Sequence, residues 1–121
     1  MQVLDIQGFT YEQRRHVLIA LTTAFGSSGG WIVDRRTLSA TSMEFRVEIQ
    51  LRSILDLYAA ILATGVELTR SGHETFTELC TRLQHRRITA ERGQIIVLRL
   101  EVSFLEDITL HSLLSSNSSV A

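Results

Sequence analysis

Apolar and polar residues alternate along some stretches of the chain and recur every three or four positions along others. Residues 2–8 read as a first strand, with Leu4 and Ile6 on one face and Asp5 and Gln7 on the other. Gly8 punctuates it. A helix is expected next, with Thr10 and Gln13 spaced as a capping box and an apolar stripe of Tyr11, Leu18, Leu21 and Phe25, flanked by Val17 and Ala24. Gly26 is placed to end that helix, and residues 26–30 read as a Gly/Ser loop. A hairpin follows. Trp31 and Val33 alternate with Ile32 and Asp34, and Met43, Phe45, Val47, Ile49 and Leu51 alternate with Glu44, Arg46, Glu48 and Gln50. Its turn lies between Leu38 and Ser42.

The period then changes. Leu51, Ile54, Leu55, Tyr58, Ile61 and Leu62 form a helical stripe that Gly65 can terminate. Residues 66–69 alternate again as a short strand, with one long helix through 66–71 as the alternative. Ser71 and Glu74 are spaced to cap a third helix, whose stripe is Phe76, Leu79, Cys80 and Leu83. After Gly93, Ile96, Leu98, Leu100, Val102 and Phe104 share one face of a long strand. Residues 1–70 therefore spell β-α-β-β-α-β, the split-βαβ, ferredoxin-like order. The expected fold is α+β: an antiparallel sheet with helices on one face, extended by a C-terminal helix and long strand. Phe45, Val47, Ile49, Ile54, Tyr58, Leu62, Leu18 and Leu98 are expected in the core. Residues 1–106 read as one domain and 107–121 as a flexible tail, because periodicity ends and the tail is serine-rich.

Composition adds bounds. At 121 residues, with 45% apolar and 21% charged, the chain is long enough for a core of its own. A net charge of -1 gives no overall field toward nucleic acid or an anionic membrane. Asp5, Glu12, Arg14 and Arg15 break up any signal-peptide core, and no apolar run reaches the ~18 residues of a membrane span. The single cysteine, Cys80, fits a reducing cytoplasm. With no proline, turns rest on Gly, Ser, Asn and Thr.

The stretch Leu4-Asp5-Ile6-Gln7-Gly8-Phe9, the helix after it and the hairpin from Trp31 to Ile49 resemble an ACT domain. Members of that family often carry an Asp-Arg-Pro-Gly-like turn after the first strand. Asp5 and Gly8 match its ends, and Ile6 and Gln7 stand in place of the arginine and proline. Ala63-Thr64-Gly65-Val66-Glu67 resembles the family's exit from its second helix. The resemblance implies a small regulatory module that pairs with copies of itself through sheet edges or faces. It also implies an amino acid or other small metabolite bound near the first turn, which singles out Asp5, Gly8, Phe9 and Thr10.

Each candidate chemistry has a plainer reading. Free N–H groups after Gly8 can hold a small anion, or the glycine can simply permit a tight turn. The 26–30 loop lacks the spacing of a phosphate loop or a dinucleotide site and reads as a connector. His16, His73, His85 and His111 show no i, i+4 pair, and Cys80 has no Cys-x-x-Cys companion, so no metal site is expected. Cys80 lies on an apolar stripe as a structural thiol. Glu44 and Glu48 share a strand face with Arg46, as a solvated surface rather than an acid–base pair. Arg82, His85, Arg86, Arg87 and Arg92 form a basic cluster without interleaved aromatics, which fits a helix end better than nucleic acid. The expectation is a non-catalytic, cytoplasmic, self-associating module that senses a small molecule and uses no cofactor. A homodimer or higher oligomer is expected, joined through sheet edges, for which the long regular strands at 94–104 and 43–51 are templates, or through a sheet face left bare by helices on one side only. The alternatives are a small enzyme with a pocket between sheet and helices, or a protein–protein interaction subunit.

Overall fold

The structure is a computed structural model that describes residues 2–85 and 93–106. Its elements are β1 (Val3–Thr10), α1 (Arg14–Ser27), β2 (Trp31–Ser39), β3 (Ser42–Gln50), α2 (Ile54–Ala63), β4 (Glu67–Leu68), α3 (Arg70–His85) and β5 (Ile95–Phe104). A 3₁₀ turn, Leu51–Ser53, leads into α2. The five strands form one sheet in the order β2-β3-β5-β1-β4. The chain order through β4 is β-α-β-β-α-β, as the periodicity predicts. The sheet is mixed rather than wholly antiparallel, because β1 and β5 run parallel. The other neighbouring pairs are antiparallel. β5 is an inner strand, not an edge: it lies between β3 and β1. Leaving β5 aside, the strands β4-β1-β3-β2 alternate in direction.

Alternation decides which face of each strand is buried. Ile6 on β1, Phe45, Val47 and Ile49 on β3, and Ile96, Leu98, Leu100, Val102 and Phe104 on β5 are all buried toward the helices. Val17, Leu21 and Phe25 of α1, Ile54, Leu57 and Ile61 of α2, and Phe76 and Leu79 of α3 complete that core. The Phe25 and Phe45 rings meet at 5.8 Å and a 57° tilt. Of the expected core, Phe45, Val47, Ile49, Ile54 and Leu98 are buried, and Leu18 and Tyr58 are half-buried. Leu62 is 39% exposed, so its place in the core is corrected. Leu55 is exposed as well, and Leu57 takes the inward position.

Helix ends depart from the expected caps for local reasons. β1 runs on through Gly8 to Thr10, so no turn follows Gln7. Thr10 does not cap α1. Its hydroxyl donates to the Gly65 carbonyl at 2.9 Å and accepts from the Glu12 amide at 3.1 Å, tying the end of β1 to the end of α2. α1 starts after Gln13, which makes no side-chain cap. Gly26 stays inside α1, and Gly29, with φ 81°, is the left-handed residue after the helix. Gly65, φ 91°, follows α2 as expected. Val66-Glu67-Leu68-Thr69 does hold a strand, though of two residues only.

Ser71 lies inside α3, and Thr69 is the residue that caps it. The Thr69 hydroxyl accepts from the Gly72 amide at 3.2 Å. Thr69→Ala should therefore lower the unfolding free energy by about 1 kcal/mol. Ser71→Ala should change it by less than about 0.5 kcal/mol. Equal effects of the two substitutions in urea unfolding would contradict this assignment.

Candidate functional site

The helices cover one face of the sheet, and among the described residues no layer covers the other. Strand register arranges that open face in four rows running from β1 to β2. The first is Val3, Val97, Glu48, Trp31, and the second is Asp5, Arg99, Arg46, Asp34. The third is Gln7, Glu101, Glu44, Arg36, and the fourth is Phe9, Ser103, Ser42, Ser39. The two middle rows are wholly polar, while the outer rows carry the apolar Val3, Val97, Trp31 and Phe9. A helix-free face needs side chains that remain favourable in water, and charged residues supply them.

Glu44 is the one charged residue in these rows that is buried, as Ser42 and Val97 also are. It is only 6% exposed, because Arg36 and Arg99 lie against it. Arg36 donates through Nη2 to Oε2 at 2.6 Å, and Arg99 donates through Nε to Oε1 at 2.8 Å. Arg99 also reaches Asp5 at 3.3 Å, and Arg36 reaches Asp34 at 3.8 Å. Five charges thus link across four strands. The hydrogen bonds from Arg36 and then Arg99 hold the Glu44 carboxyl below its ordinary pKa, against the opposing effect of burial.

A carboxyl whose folded pKa is lowered stabilises the fold above its unfolded value, and that contribution is lost as pH falls toward the folded one. The urea midpoint should therefore fall as pH drops below about 4.3. Glu44→Gln should flatten that acid limb. An acid limb of identical slope in the variant would exclude Glu44 as a contributor.

Two depressions open on this face. One, of about 210 Å³, is lined by Asp5, Gln7, Glu44, Arg99 and Glu101. The other, of about 320 Å³, is lined by Gln7, Gly8, Phe9, Thr69, Glu101, Ser103 and Leu105. They share Gln7 and Glu101 and so adjoin, end to end, as a trough along β1 and β5. Glu101 sits at its middle, directly across from Glu44. Glu44 has two arginine partners, whereas Glu101 has no ion-pair partner among the described residues. The trough therefore offers a carboxylate, an amide and hydroxyls beside the apolar Phe9 and Leu105.

The four residues singled out by resemblance divide between the two faces of β1. Asp5 and Phe9 point to the open face and line the trough. Gly8 is buried, yet its backbone borders the second depression. Thr10 is buried on the helix side and serves the Gly65 contact. Gly8 adjoins β4 rather than opening a helix N-terminus. A Cβ there would meet the Glu67 carbonyl oxygen and Val66 Cγ1 at 2.9 Å each. Sequence reasoning missed Gln7, Arg99, Glu101, Ser103 and Thr69: pairing between β1 and β5 brings in Arg99, Glu101 and Ser103, and the Thr69 amide joins through the Gln7 carbonyl.

Other candidate chemistry is local. His73 is half-buried, with Nδ1 2.6 Å from the Tyr58 hydroxyl. Tyr58 in turn stacks on Phe76 at 4.7 Å and 9°. This cluster joins α2 to α3. Cys80 is half-buried, and burial pushes its thiol pKa up, which disfavours the reactive thiolate. Among the described residues no group of three His, Cys, Asp or Glu side chains gathers as a metal site. Arg82 is exposed on α3, while Arg86, Arg87 and Arg92, the expected tail at 107–121 and His111 lie outside the described residues. No helix among the described residues is long and apolar enough to cross a membrane. No protein-family model, curated protein or solved structure matches this chain.

Proposed function

We propose that this chain is a non-catalytic regulatory module, ACT-like in organisation, that self-associates and binds an amino acid or similar small metabolite in the trough on its helix-free face. The observation that carries this reading is the trough itself. It brings Asp5, Gly8 and Phe9 together with Gln7, Glu101 and Ser103, beside arginines already fixed by Glu44. Fixed charges around an unpaired carboxylate suit a small ligand carrying an amine, since the site pays little ordering entropy on binding. The space between sheet and helices is filled by aliphatic and aromatic side chains, which favours the open face as the ligand side. The fold reading is a ferredoxin-like βαββαβ unit with one further strand, β5, inserted between β1 and β3. A lone cysteine fits a cytoplasmic setting, and we place the protein there.

Thermal unfolding in the presence of amino acids, nucleotides and divalent metals tests the reading. A specific amino acid should raise the midpoint, with a stabilisation of about 2.7 kcal/mol at a hundredfold excess over Kd. Glu101→Gln should weaken that shift. No shift with any amino acid, or an equal shift in Glu101→Gln, would count against the trough as the site.

A further inference from the structure

The charges on the helix-free face form a pattern that complements itself. Within each strand, the residue in the second row has its third-row neighbour two positions away. On β5 these are Arg99 and Glu101, on β3 they are Arg46 and Glu44, and on β2 they are Asp34 and Arg36. In all three strands the two signs are opposite. Along a row the pattern is different. Arg99 lies directly across from Arg46, and Glu101 directly across from Glu44. Like charges directly opposite on neighbouring strands disfavour each other. The diagonal from Arg99 to Glu44 is closed by an ion pair at 2.8 Å. Arg46 and Glu101, on the other diagonal, have no ion-pair partner among the described residues.

We infer that a second copy of this chain packs on the helix-free face, about a two-fold axis that crosses the strands between the second and third rows. This rests on the self-association proposed above and gives it a surface and a symmetry. Such an axis lays each strand antiparallel over its own counterpart. The second row of one copy then faces the third row of the other. Arg99 faces Glu101 of the second copy, Arg46 faces the Glu44 that Arg36 and Arg99 cover, and Asp34 faces Arg36, and the symmetry repeats each pair. A two-fold axis along the strands would instead set Arg99 over Arg46 and Glu101 over Glu44, so charge selects the first orientation. The same axis puts Val3, 50% exposed, over Phe9 of the second copy. Isologous contact of this kind is the commonest way two identical chains close. The trough on β1 and β5 would lie between the copies.

Light scattering and sedimentation across a dilution series test this with the full chain. The wild type should dimerise. Glu101→Arg should raise the dimer dissociation constant by at least about tenfold, because it sets an arginine against Arg99 twice per dimer, and Arg46→Glu should raise it by less, because Arg36 and Arg99 cover the Glu44 that it faces. Neither residue has an ion-pair partner to lose among the described residues, and far-UV circular dichroism should confirm retained structure. Arg35→Glu makes the same charge change on the other face of β2, at an exposed position across from Phe45, and should leave dimerisation unchanged. A wild type that stays monomeric at every concentration would overturn both this surface and the self-association itself. A dimer indifferent to Arg46→Glu and Glu101→Arg would overturn the surface alone.

Discussion

Leu57→Ala is expected to lower the unfolding free energy by about 2–5 kcal/mol, while Leu62→Ala lowers it by less than about 1 kcal/mol. Both substitutions remove the same atoms from the same helix, so helix propensity changes equally. Environment separates them. Leu57 is fully buried with Ile54 and Ile61 in the seam that α2 presents to the core. Truncating it opens a cavity that a packed sheet and two neighbouring helices cannot refill. Leu62 is 39% exposed, so much of its surface is in water already. Urea unfolding of the two variants side by side is the check. Equal losses would mean that α2 is rotated about its axis from the position described.

That rotation is where sequence periodicity ran out. α2 reads Ile-Leu-Asp-Leu-Tyr-Ala-Ala-Ile-Leu-Ala, with Asp56 its only charged residue. Apolar residues lie nearly all round such a helix, so several stripes satisfy the same spacing. The neighbours on either side choose among them. α3 shows the opposite case. Phe76 and Leu79, with Cys80 and Leu83 beside them, are bordered by charged and hydroxyl residues, and that stripe faces the core as expected. Strand faces were legible for the same reason: alternation from Phe45 along β3 and from Leu98 along β5 leaves only one face to bury there. Helix starts were not. Thr10, Thr69 and Ser71 are all competent caps, and the choice depended on where β1 and β4 stop. Position in the sheet was invisible too. Length and regularity suggest an edge template at 94–104, yet the order of pairing puts the strand at the centre, where both of its sides are bonded.

The trough was half legible. Asp5 and Phe9 lie on one face of a readable strand, so resemblance and alternation agree on them. Glu44 and Arg46 were read as solvated surface charges, and Arg46 fits that description. Glu44 does not. Arg99 is separated from it by 55 residues, and only the pairing of β3 with β5 makes it a partner. No spacing rule reaches across that distance. Hydroxyls at Ser103 and Thr69 join the site for the same reason, through β5 and the start of α3 as they lie beside β1.

Gly8→Ala is expected to cost about 1–3 kcal/mol, although the backbone at Gly8 suits any residue. Gly8 lies inside β1 without a positive φ, so the glycine is not there for conformational freedom. It is there for clearance. The Glu67 carbonyl oxygen and Val66 Cγ1 each stand 2.9 Å from where a Cβ would fall, and Leu68 Cδ2 stands at 3.3 Å. A methyl group closer than van der Waals contact to a backbone oxygen forces the backbone to move. The segment that gives way should be β4, since two residues hold it to β1 while the whole of β1 is bonded to β5. Thr69 is next to that segment and donates its amide to the Gln7 carbonyl at 3.0 Å. Hydrogen exchange at the Thr69 amide should therefore quicken in Gly8→Ala, while amides of β5 should slow or quicken only with global stability. Because Gly8 and Thr69 both border the trough, a displaced β4 would also widen it. An Ala variant as stable as the wild type, with unchanged exchange at Thr69, would mean that β4 does not lie as close to β1 as 2.9 Å requires.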